Sequence, residues 1–300
     1  MSIDRAQLET LVTVVREGGF DKAAKVLHVT PSAISQRIKQ LEEQVGGIVV
    51  VRANPCRATT LGAALYRHGL QVELLEQELQ KSVGTGGGEK LPRPVAIGIA
   101  VNADSLATWI SPAFSRFSLQ TGVPVEVFVD DQDHTNDWLR SGRVLGAVTS
   151  ESKAVQGCRV LALGVMRYRA TASAAFVKRS FPKGFSTDAA ASAPIVAYDR
   201  KDTLHAQFLR RCGHRSNPPA TQLLPSPTAI VQACLAGVAW GVNPEPLVAS
   251  HLSRGRLRDL VAGQFLEVPL YWQQWSIRSE TVESLAAILK DEARSMLGRS

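Results

Sequence analysis

The 300-residue chain has few cysteines, and those it has are far apart. The four thiols are Cys56, Cys158, Cys212 and Cys234, with no CxxC pair and no nearby histidine at metal-ligand spacing. Disulfide frameworks and structural zinc sites both need closely spaced thiols, so this distribution argues against both. We expect reduced, buried or incidental thiols, no metal and no cofactor.

Long hydrophobic runs are also absent. No stretch of about 18 apolar residues occurs, which argues against a transmembrane helix. The opening segment MSIDRAQLET continues directly into a polar, helix-like pattern and lacks the apolar centre of a signal peptide. These absences predict a soluble, cytoplasmic protein without a membrane partner.

Common catalytic signatures are missing as well. The sequence contains no GxSxG, Walker loop, HExxH, or GxGxxG after a strand, and its six histidines are dispersed. The glycine-rich run at 84–88 follows a helical pattern and lacks a Lys-Ser/Thr ending, which indicates a flexible joint and not a phosphate-binding loop. The sequence therefore predicts a protein that is not an enzyme.

What the chain does contain is a basic N-terminal segment. The length of the whole chain, together with its content of 45% hydrophobic and 20% charged residues, predicts two or three globular domains. The formal net charge is +7, and residues 22–67 alone carry seven cations against two anions. A local excess of this kind permits nucleic-acid binding, although charge alone does not establish it.

The same segment has the pattern of a winged helix-turn-helix. Apolar residues at helical spacing predict one helix from about Asp4 to Gly18 and a short second helix from Phe20. Thr30 is a plausible N-cap and Pro31 suits a first helical position, so a third helix is predicted to end at Gly46-Gly47. Predicted strands at 48–51 and 56–59, joined by an Asn-Pro turn, then form a hairpin of wing size.

The third helix carries side chains suited to reading DNA. A helix that exposes small polar residues at its N-terminal end can reach base edges in the major groove. The residues of this helix and its cap that are predicted to contact DNA are Thr30, Pro31, Ser32, Ala33, Ser35, Gln36 and Arg37. The residues predicted to bind DNA phosphates are Lys22, Lys25, Lys39, Arg52 and Arg57. The alternative is an ordinary helical hairpin with a solvated charged face.

A longer helix is predicted from Thr60. Its apolar side chains at heptad-like spacing are Leu61, Leu65, Val72, Leu75 and Leu79. Such a stripe either packs against its own domain or forms a dimer interface. After Pro94, short β-rich runs alternate with helical segments, which predicts a parallel sheet covered by helices on both faces.

A specific motif identifies the family that the chain resembles. The residues Phe20-x-x-Ala23-Ala24-x-x-Leu27-x-Val29-Thr30-Pro31-Ser32-Ala33-Ile34-Ser35-x-x-Ile38-x-x-Leu41-Glu42-x-x-x-Gly46, closed by Arg52, resemble the N-terminal signature of LysR-type transcriptional regulators. Val50 departs from the pattern, since most members have Phe there; the difference alters wing packing and leaves the DNA interpretation intact.

The resemblance implies an α/β fold with a defined layout. A winged helix-turn-helix at 1–59 is followed by a linker or dimerisation helix and a hinge at 60–90, and by an effector module at 91–300 of periplasmic-binding-protein type. Subdomain I is expected at about 91–164 and 267–300, and subdomain II at about 165–266. The implied partners are double-stranded DNA, a second copy or three further copies of the chain, a small-molecule effector and RNA polymerase.

The segment 100–109 is the first candidate for effector binding. A buried strand ends there and a helix opens, so free N–H groups near Ser105 and Leu106, with the Ser105 and Thr108 hydroxyls, could hold a carboxylate. The alternative is that Asn102, Asp104 and Ser105 only cap the helix.

This segment also resembles the ArgP/LysG branch of the LysR family, together with the Asp130-Asp131 strand end, 145–149, 196–199 and Tyr271-Trp272. That branch responds to lysine or arginine and typically controls a basic amino-acid exporter. Carboxylates near strand ends suit a cationic ligand. The predicted effector contacts are Asn102, Ala103, Asp104, Ser105, Thr108, Asp130, Asp131, Thr149, Asp199 and His205.

Two alternatives stay open at this point. A LysR-type regulator could sense a different small metabolite, or the α/β half could be a substrate-binding or catalytic protein with an unrelated helical N-terminus. Each acidic residue could equally be a cap or a surface residue, and His205 could lie on a helix surface away from the cleft.

Overall fold

A computed structural model describes residues 3–83, 96–129, 135–213 and 220–298. The glycine-rich joint at 84–88 and the candidate pair Asp130 and Asp131 lie outside these ranges. Within the described ranges no helix combines the length and the apolar character needed to cross a membrane. All four cysteines are described and are free thiols.

The three N-terminal helices begin and end where the sequence predicts. They are α1 (Arg5–Glu17), α2 (Phe20–Val26) and α3 (Pro31–Val45). The Asp4 carboxylate accepts hydrogen bonds from two amides of the first turn of α1, and the Thr30 hydroxyl accepts one from the Ala33 amide at 3.2 Å. Gly18 and Gly46 end α1 and α3 with φ values of +69° and +74°, which glycine adopts readily.

A two-stranded wing follows these helices. Strands β1 (Val50–Val51) and β2 (Arg57–Ala58) pair antiparallel and are shorter than the runs predicted at 48–51 and 56–59. The Cys56 amide donates to the Gly18 carbonyl at 2.8 Å, which ties the wing to the end of α1. The helices enclose a core with the fully or almost fully buried side chains of Leu11, Ile34, Ile38, Leu41 and Val49.

The long helix α4 (Thr60–Val83) packs against both halves of the chain. On one side, Leu65 and Val72 join the core of the winged domain, and ion pairs connect Arg16 to Glu73 at 2.6 Å and Arg5 to Glu76 at 2.8 Å. On the other side, Leu70 and Leu74 pack against the core of the effector module.

The predicted apolar stripe of α4 is consequently divided. Leu65 is only 9% exposed because the winged domain covers it, and Val72 is partly covered in the same way. Leu61, Leu75 and Leu79 remain exposed, and Val83 extends this uncovered surface to the end of the helix. The chain's own packing therefore removes Leu65 from the surface that a second copy could contact.

Among the described residues of the effector module, the largest sheet has seven strands. The first part of this module contains β3 (Ile97–Val101), α5 (Ala103–Thr108), α6 (Ile110–Thr121), β4 (Val125–Val129), α7 (Thr135–Arg140) and β5 (Gly146–Thr149). Its middle part contains β6 (Cys158–Ser173), α8 (Ala174–Ser180), α9 (Thr187–Ser192), β7 (Val196–Ala197), α10 (Leu204–Arg211), β8 (Gln222–Leu223), α11 (Pro227–Leu235), β9 (Gly241–Pro244), α12 (Glu245–Ser253) and β10 (Leu257–Asp259). Its last part contains β11 (Leu266–Trp275) and α13 (Glu280–Met296).

The sheet is mixed, which corrects the prediction of a parallel sheet. Its order is β10-β6-β11-β5-β3-β4, with β9 also paired to β6. Strand β3 is parallel to β4 and β5, whereas β6 and β11 run antiparallel to each other and to their other neighbours. Alternation of strands and helices favours parallel pairing, but it does not determine the direction of the two long strands β6 and β11.

A bulge interrupts the β6–β11 pairing halfway along. Leu270 pairs with Gly164 and Tyr271 pairs with Ala162, so Leu163 is the extra residue, and Gly164 has φ +143°. Such a bulge bends a strand locally. The proposed subdomain division at 164/165 lies beside this bulge, and the division at 266/267 lies at the first residue of β11.

The junction between the wing and α4 allows a stability prediction. A Cβ atom at Gly62 would overlap the Val49 backbone carbonyl. Although alanine normally favours a helix interior over glycine by about 1 kcal/mol, we expect Gly62→Ala to lower the free energy of unfolding by about 1–3 kcal/mol. Urea denaturation of the full chain measures this. Gly19→Ala is the control, because nothing lies within 4 Å of its added Cβ; equal effects of both variants would contradict the close approach.

Candidate DNA-binding surface and ligand cleft

Helix α3 separates its buried and exposed side chains cleanly. Ile34, Ile38 and Leu41 face the core of the winged domain. Ser32, Gln36 and Lys39 are exposed, and their spacing of four and three residues places them on the opposite side of the helix. The core contacts thus hold α3 in an orientation that presents its polar side outward.

The outward side of α3 contains further polar groups. Thr30 and Pro31 are exposed at its N-terminus, and the Thr30 and Ser32 hydroxyl oxygens are 2.9 Å apart. Ala33, Ser35 and Arg37 are half-buried along the edges of this surface. Gln40, which was not among the predicted contacts, is also exposed and lies one turn beyond Gln36. Its spacing of four residues from Gln36 could have identified it.

The predicted phosphate-binding cations are all exposed but differ in their surroundings. Lys22 and Lys25 lie on α2, and Lys39 forms a 3.7 Å ion pair with Glu43 on α3. The Arg52 guanidinium lies 4.9 Å from the centroid of the Phe20 ring, a cation–π contact that holds it near the start of α2. Arg57 instead lines a cavity of about 590 Å³ between the wing and the effector module.

A second cavity, of about 400 Å³, lies in the effector module. We call it the ligand cleft. Its walls come from the start of α5, the loop after β7, the first turns of α10 and α11, the end of β9 and the start of β11. These segments belong to both proposed subdomains, so relative movement of the subdomains would change its shape.

The structure brings four of the predicted effector residues to this cleft. Asn102, Ala103, Asp104 and Asp199 line it. Ser105 is buried next to Asn102, while Thr108, Thr149 and His205 are not among the lining residues. The Thr108 hydroxyl bonds to the Asp104 carbonyl at 2.6 Å, and Thr149 accepts from the Glu151 amide at 3.2 Å.

The proposed role of the first amides of α5 is not supported. The Ser105 amide donates to the Asn102 side-chain oxygen at 3.2 Å, and the Leu106 amide donates to the Asn102 carbonyl at 3.1 Å. Both N–H groups are therefore occupied within the helix. Asn102 acts as the N-cap, which is the alternative that the sequence left open.

Asp104 is the most perturbed acid of the cleft. Burial raises its pKa to about 6, the nearby Asp202 carboxylate adds to the increase, and a hydrogen bond from the Tyr168 hydroxyl opposes it. That hydrogen bond reaches the Asp104 carboxylate at 2.7 Å from a fully buried tyrosine. A partly buried carboxylate whose pKa is raised by its surroundings is stabilised in its charged form by a cationic partner.

Backbone amides hold two more carboxylates at the rim of the cleft. Asp199 accepts from the amides of Lys201 and Asp202 at 2.7 and 2.9 Å. Asp202 accepts from the amides of Tyr198 and Leu204, both at 2.9 Å. Asp199 was predicted from the sequence and Asp202 was not, although both follow the same strand and Asp202 lies only three positions after Asp199.

Two buried amides at the cleft have unsatisfied polar atoms. Asn243, fully buried, donates to the Thr171 hydroxyl at 3.0 Å and to the Gly241 carbonyl at 3.1 Å, whereas its side-chain oxygen has no partner among the described residues. The Asn102 side-chain nitrogen is likewise unpaired within the described chain. Leaving such groups unpaired is costly, so they are natural partners for polar ligand atoms. The sequence offered no signal for Asn243.

The cleft thus combines three aspartates with an amide donor and an amide acceptor. A ligand with a cationic group and a carboxylate matches this set, since the aspartates suit the cation and the Asn102 nitrogen can donate to the carboxylate. Within the described ranges, no group of three or more His, Cys, Asp or Glu side chains is placed to hold a metal ion.

Comparison with protein families gives two matches. Residues 6–63 match the model described as bacterial regulatory helix-turn-helix protein, lysR family, and residues 96–294 match the LysR substrate binding domain. The HTH-type transcriptional regulator LysG from Mycobacterium tuberculosis is 43% identical over 297 residues, covering 98% of this chain and 95% of that protein.

Two solved structures are similar over the full length. ArgP from Mycobacterium tuberculosis is 42% identical and superposes with a TM-score of 0.88, with each chain covered completely. LysG from Corynebacterium glutamicum with bound effector Arg is 32% identical, with a TM-score of 0.78 and coverage of 98% and 99%. In that structure the regulator holds arginine.

The buried acid allows a prediction about pH and stability. Because the folded-state pKa of Asp104 is raised, the folded chain binds its proton more tightly than the unfolded chain, and the resulting stability is lost as pH rises from about 4 through 6. An asparagine side chain at this position cannot ionise and can still accept from Tyr168. We therefore expect the free energy of unfolding of Asp104→Asn, relative to that of the wild type, to increase as the pH rises from 4 to 7.5. The increase should be roughly 1.4 kcal/mol per unit of pKa shift.

Thermal or urea unfolding of both proteins at the two pH values tests this expectation. Asp188→Asn, which changes an exposed acid in α9, serves as the control and should show no comparable pH-dependent difference. An Asp104→Asn difference that is equal at both pH values would show that the carboxyl is not perturbed.

Proposed function

The chain belongs to the LysR family of bacterial helix-turn-helix regulators, and from this premise we propose that it couples operator binding by α3 to the concentration of a basic amino acid. Its similarity to full-length LysG and ArgP confirms the resemblance to that branch. The chain is thus a DNA-binding transcription regulator. The residues that contact DNA, the effector and the outcome for transcription are the parts that we propose.

We propose that α3 enters the major groove with its polar side. Gln36 is placed to bond to an adenine edge, Ser32 can bond to several bases, and the Ala33 methyl can contact a thymine methyl. Lys22, Lys25 and the other surrounding cations, including Lys39, Arg52 and Arg57, would bind phosphates and position the helix.

The composition of the ligand cleft supports lysine or arginine as the effector. The single observation that carries this proposal is the clustering of Asp104, Asp199 and Asp202 around a cavity whose lining also includes Asn102 and Asn243, each with a buried, unpaired amide atom. In our proposal the carboxylates bind the cationic side chain or the α-ammonium group, and the Asn102 nitrogen donates to the α-carboxylate. Arginine bound to the similar LysG agrees with this assignment.

The oligomer is the next part of the proposal. We propose that the uncovered apolar surface of α4, with Leu61, Leu75 and Leu79, pairs with a second copy to form a dimer or a dimer of dimers. Paired winged domains would then contact two half-sites. The regulated gene would encode a basic amino-acid exporter, and the DNA-bound oligomer would act on RNA polymerase.

The DNA proposal predicts two distinct mutant phenotypes. A duplex selected from random sequence with the full-length chain provides the probe. We expect Gln36→Ala to lose about 1–3 kcal/mol of discrimination between this duplex and a variant changed in the selected bases. Lys25→Ala should weaken binding to both duplexes equally and reduce the salt dependence by about one phosphate contact. Fluorescence anisotropy at several salt concentrations measures both effects; unchanged binding by both variants would contradict the assigned surface.

The effector proposal predicts a loss of affinity without a loss of stability. We expect Asp104→Asn to weaken arginine binding about tenfold or more, because a charge-assisted hydrogen bond contributes about 1.5–3 kcal/mol. Since the same substitution is expected to stabilise the chain at pH 7.5, weaker binding could not be ascribed to unfolding.

Calorimetry of the full-length chain with arginine, lysine and a panel of organic acids provides the measurement, with Asp188→Asn as the control. No heat with either basic amino acid would contradict the proposed effector. Binding of an organic acid alone would assign the cleft to a different metabolite.

A further inference from the structure

The C-terminal end of α4 is held by the ends of two effector-module helices. One Glu78 carboxylate oxygen accepts from the Ser279 hydroxyl at 2.6 Å and from the Thr281 amide at 2.9 Å, at the N-terminus of α13. One turn later, the Lys81 ammonium donates to the Thr121 carbonyl at 3.2 Å, at the C-terminus of α6. We call these two contacts the latch.

The two contacts have the charges that the helix ends favour. The N-terminus of a helix carries unpaired N–H groups and partial positive charge, and the C-terminus carries unpaired carbonyls and partial negative charge. Burial by itself would raise the pKa of Glu78, but the hydrogen bonds from Ser279 and Thr281 outweigh it and lower the pKa. The carboxylate is therefore held in its charged form at the start of α13.

The latch extends an apolar contact on the same side of α4. Leu70, Leu74, Glu78 and Lys81 are separated by four, four and three residues, so they share one side of the helix. Leu74 is only 8% exposed and belongs to the core of the effector module. The surface of Leu61, Leu75 and Leu79 that is proposed for dimerisation adjoins this side, since Leu75 lies three positions before Glu78.

Both latched helices follow, along the chain, elements whose first residues line the ligand cleft. Helix α6 follows α5, whose first residues and N-cap, Asn102 to Asp104, line the cleft. Helix α13 follows β11, whose residues 267–269 line the cleft from the other side. The two helices also pack against each other, with Arg116 and Asp291 3.7 Å apart.

We propose that the latch of Glu78 and Lys81 transmits the state of the ligand cleft to the linker helix. Ligand binding that moves the start of α5 against the start of β11 shifts α6 and α13, and the two helix ends carry α4, and with it the winged domain, into a different orientation. The inference rests on the proposed function, since it requires a ligand in the cleft. Glu78 is a positioning residue here and touches neither the ligand nor DNA.

The chain offers a matched control for the test. Glu78→Ala removes the acceptor for α13, whereas Glu76→Ala removes a glutamate of the same helix that pairs with Arg5 of the winged domain. For wild type and both variants, the affinity for the selected duplex is measured with and without saturating arginine. The ratio of the two affinities gives the coupling between the sites, and binding theory requires that DNA change the arginine affinity by the same ratio.

We expect Glu78→Ala to bring the ratio of DNA affinities with and without arginine at least about threefold closer to one. The affinity of this variant for arginine in the absence of DNA should stay within about twofold of the wild-type value. Glu76→Ala should keep the wild-type ratio. Lys81→Ala, which removes only the second contact, should reduce the ratio in the same direction and carries the test if Glu78→Ala does not fold.

The possible outcomes distinguish an error in the latch from an error in the proposed effector. A wild-type ratio in both latch variants would overturn the latch alone, as would a Glu78→Ala variant whose arginine affinity falls along with the ratio, because Glu78 would then only support the cleft. Failure of the wild-type chain to bind arginine and lysine would overturn the proposed effector and the latch together.

Discussion

The antiparallel pairing of β6 and β11 is the constraint on which the effector half of this molecule depends. The proposed division at 164/165 falls within β6, so strands of both proposed subdomains belong to one sheet. The bulge at Leu163 shifts the register of this pairing. Beyond the bulge, the Tyr168 hydroxyl on β6 donates to the cleft residue Asp104, and Glu267 on β11 lines the cleft. Helix α13 begins shortly after β11 ends.

Helix α4 provides the second constraint, because both halves of the chain pack on it. Close approach at Gly62 and Gly69 brings its first half against the wing and α1, and Leu74 inserts into the effector core. The first half of α4 therefore packs mainly against the winged domain, and Leu74 packs against the effector module. A rigid helix with separate contacts to a DNA-binding domain and a ligand-binding module can transfer a change in orientation, which a flexible joint cannot.

The ligand cleft illustrates a general conflict between stability and function. Asp104 lies where burial disfavours its charge, and the Asn102 and Asn243 side chains keep polar atoms without partners within the described chain. Each of these features costs stability in the absence of a ligand. Binding sites commonly retain such groups, since a ligand that satisfies them binds more tightly than its contact area alone would allow.

The sequence by itself determined the local structure of the N-terminal half and the identity of the family. Helix caps such as Thr30, the termination at Gly46 and the core spacing of α3 depend on neighbouring residues, and for that reason they can be read directly. The tertiary structure alone decided the mixed sheet, the covering of Leu65, and the meeting of Asp104 with Asp202 and Asn243. These features depend on residues far apart in the chain, whose approach is set by packing and strand register and leaves no periodic signal in the sequence.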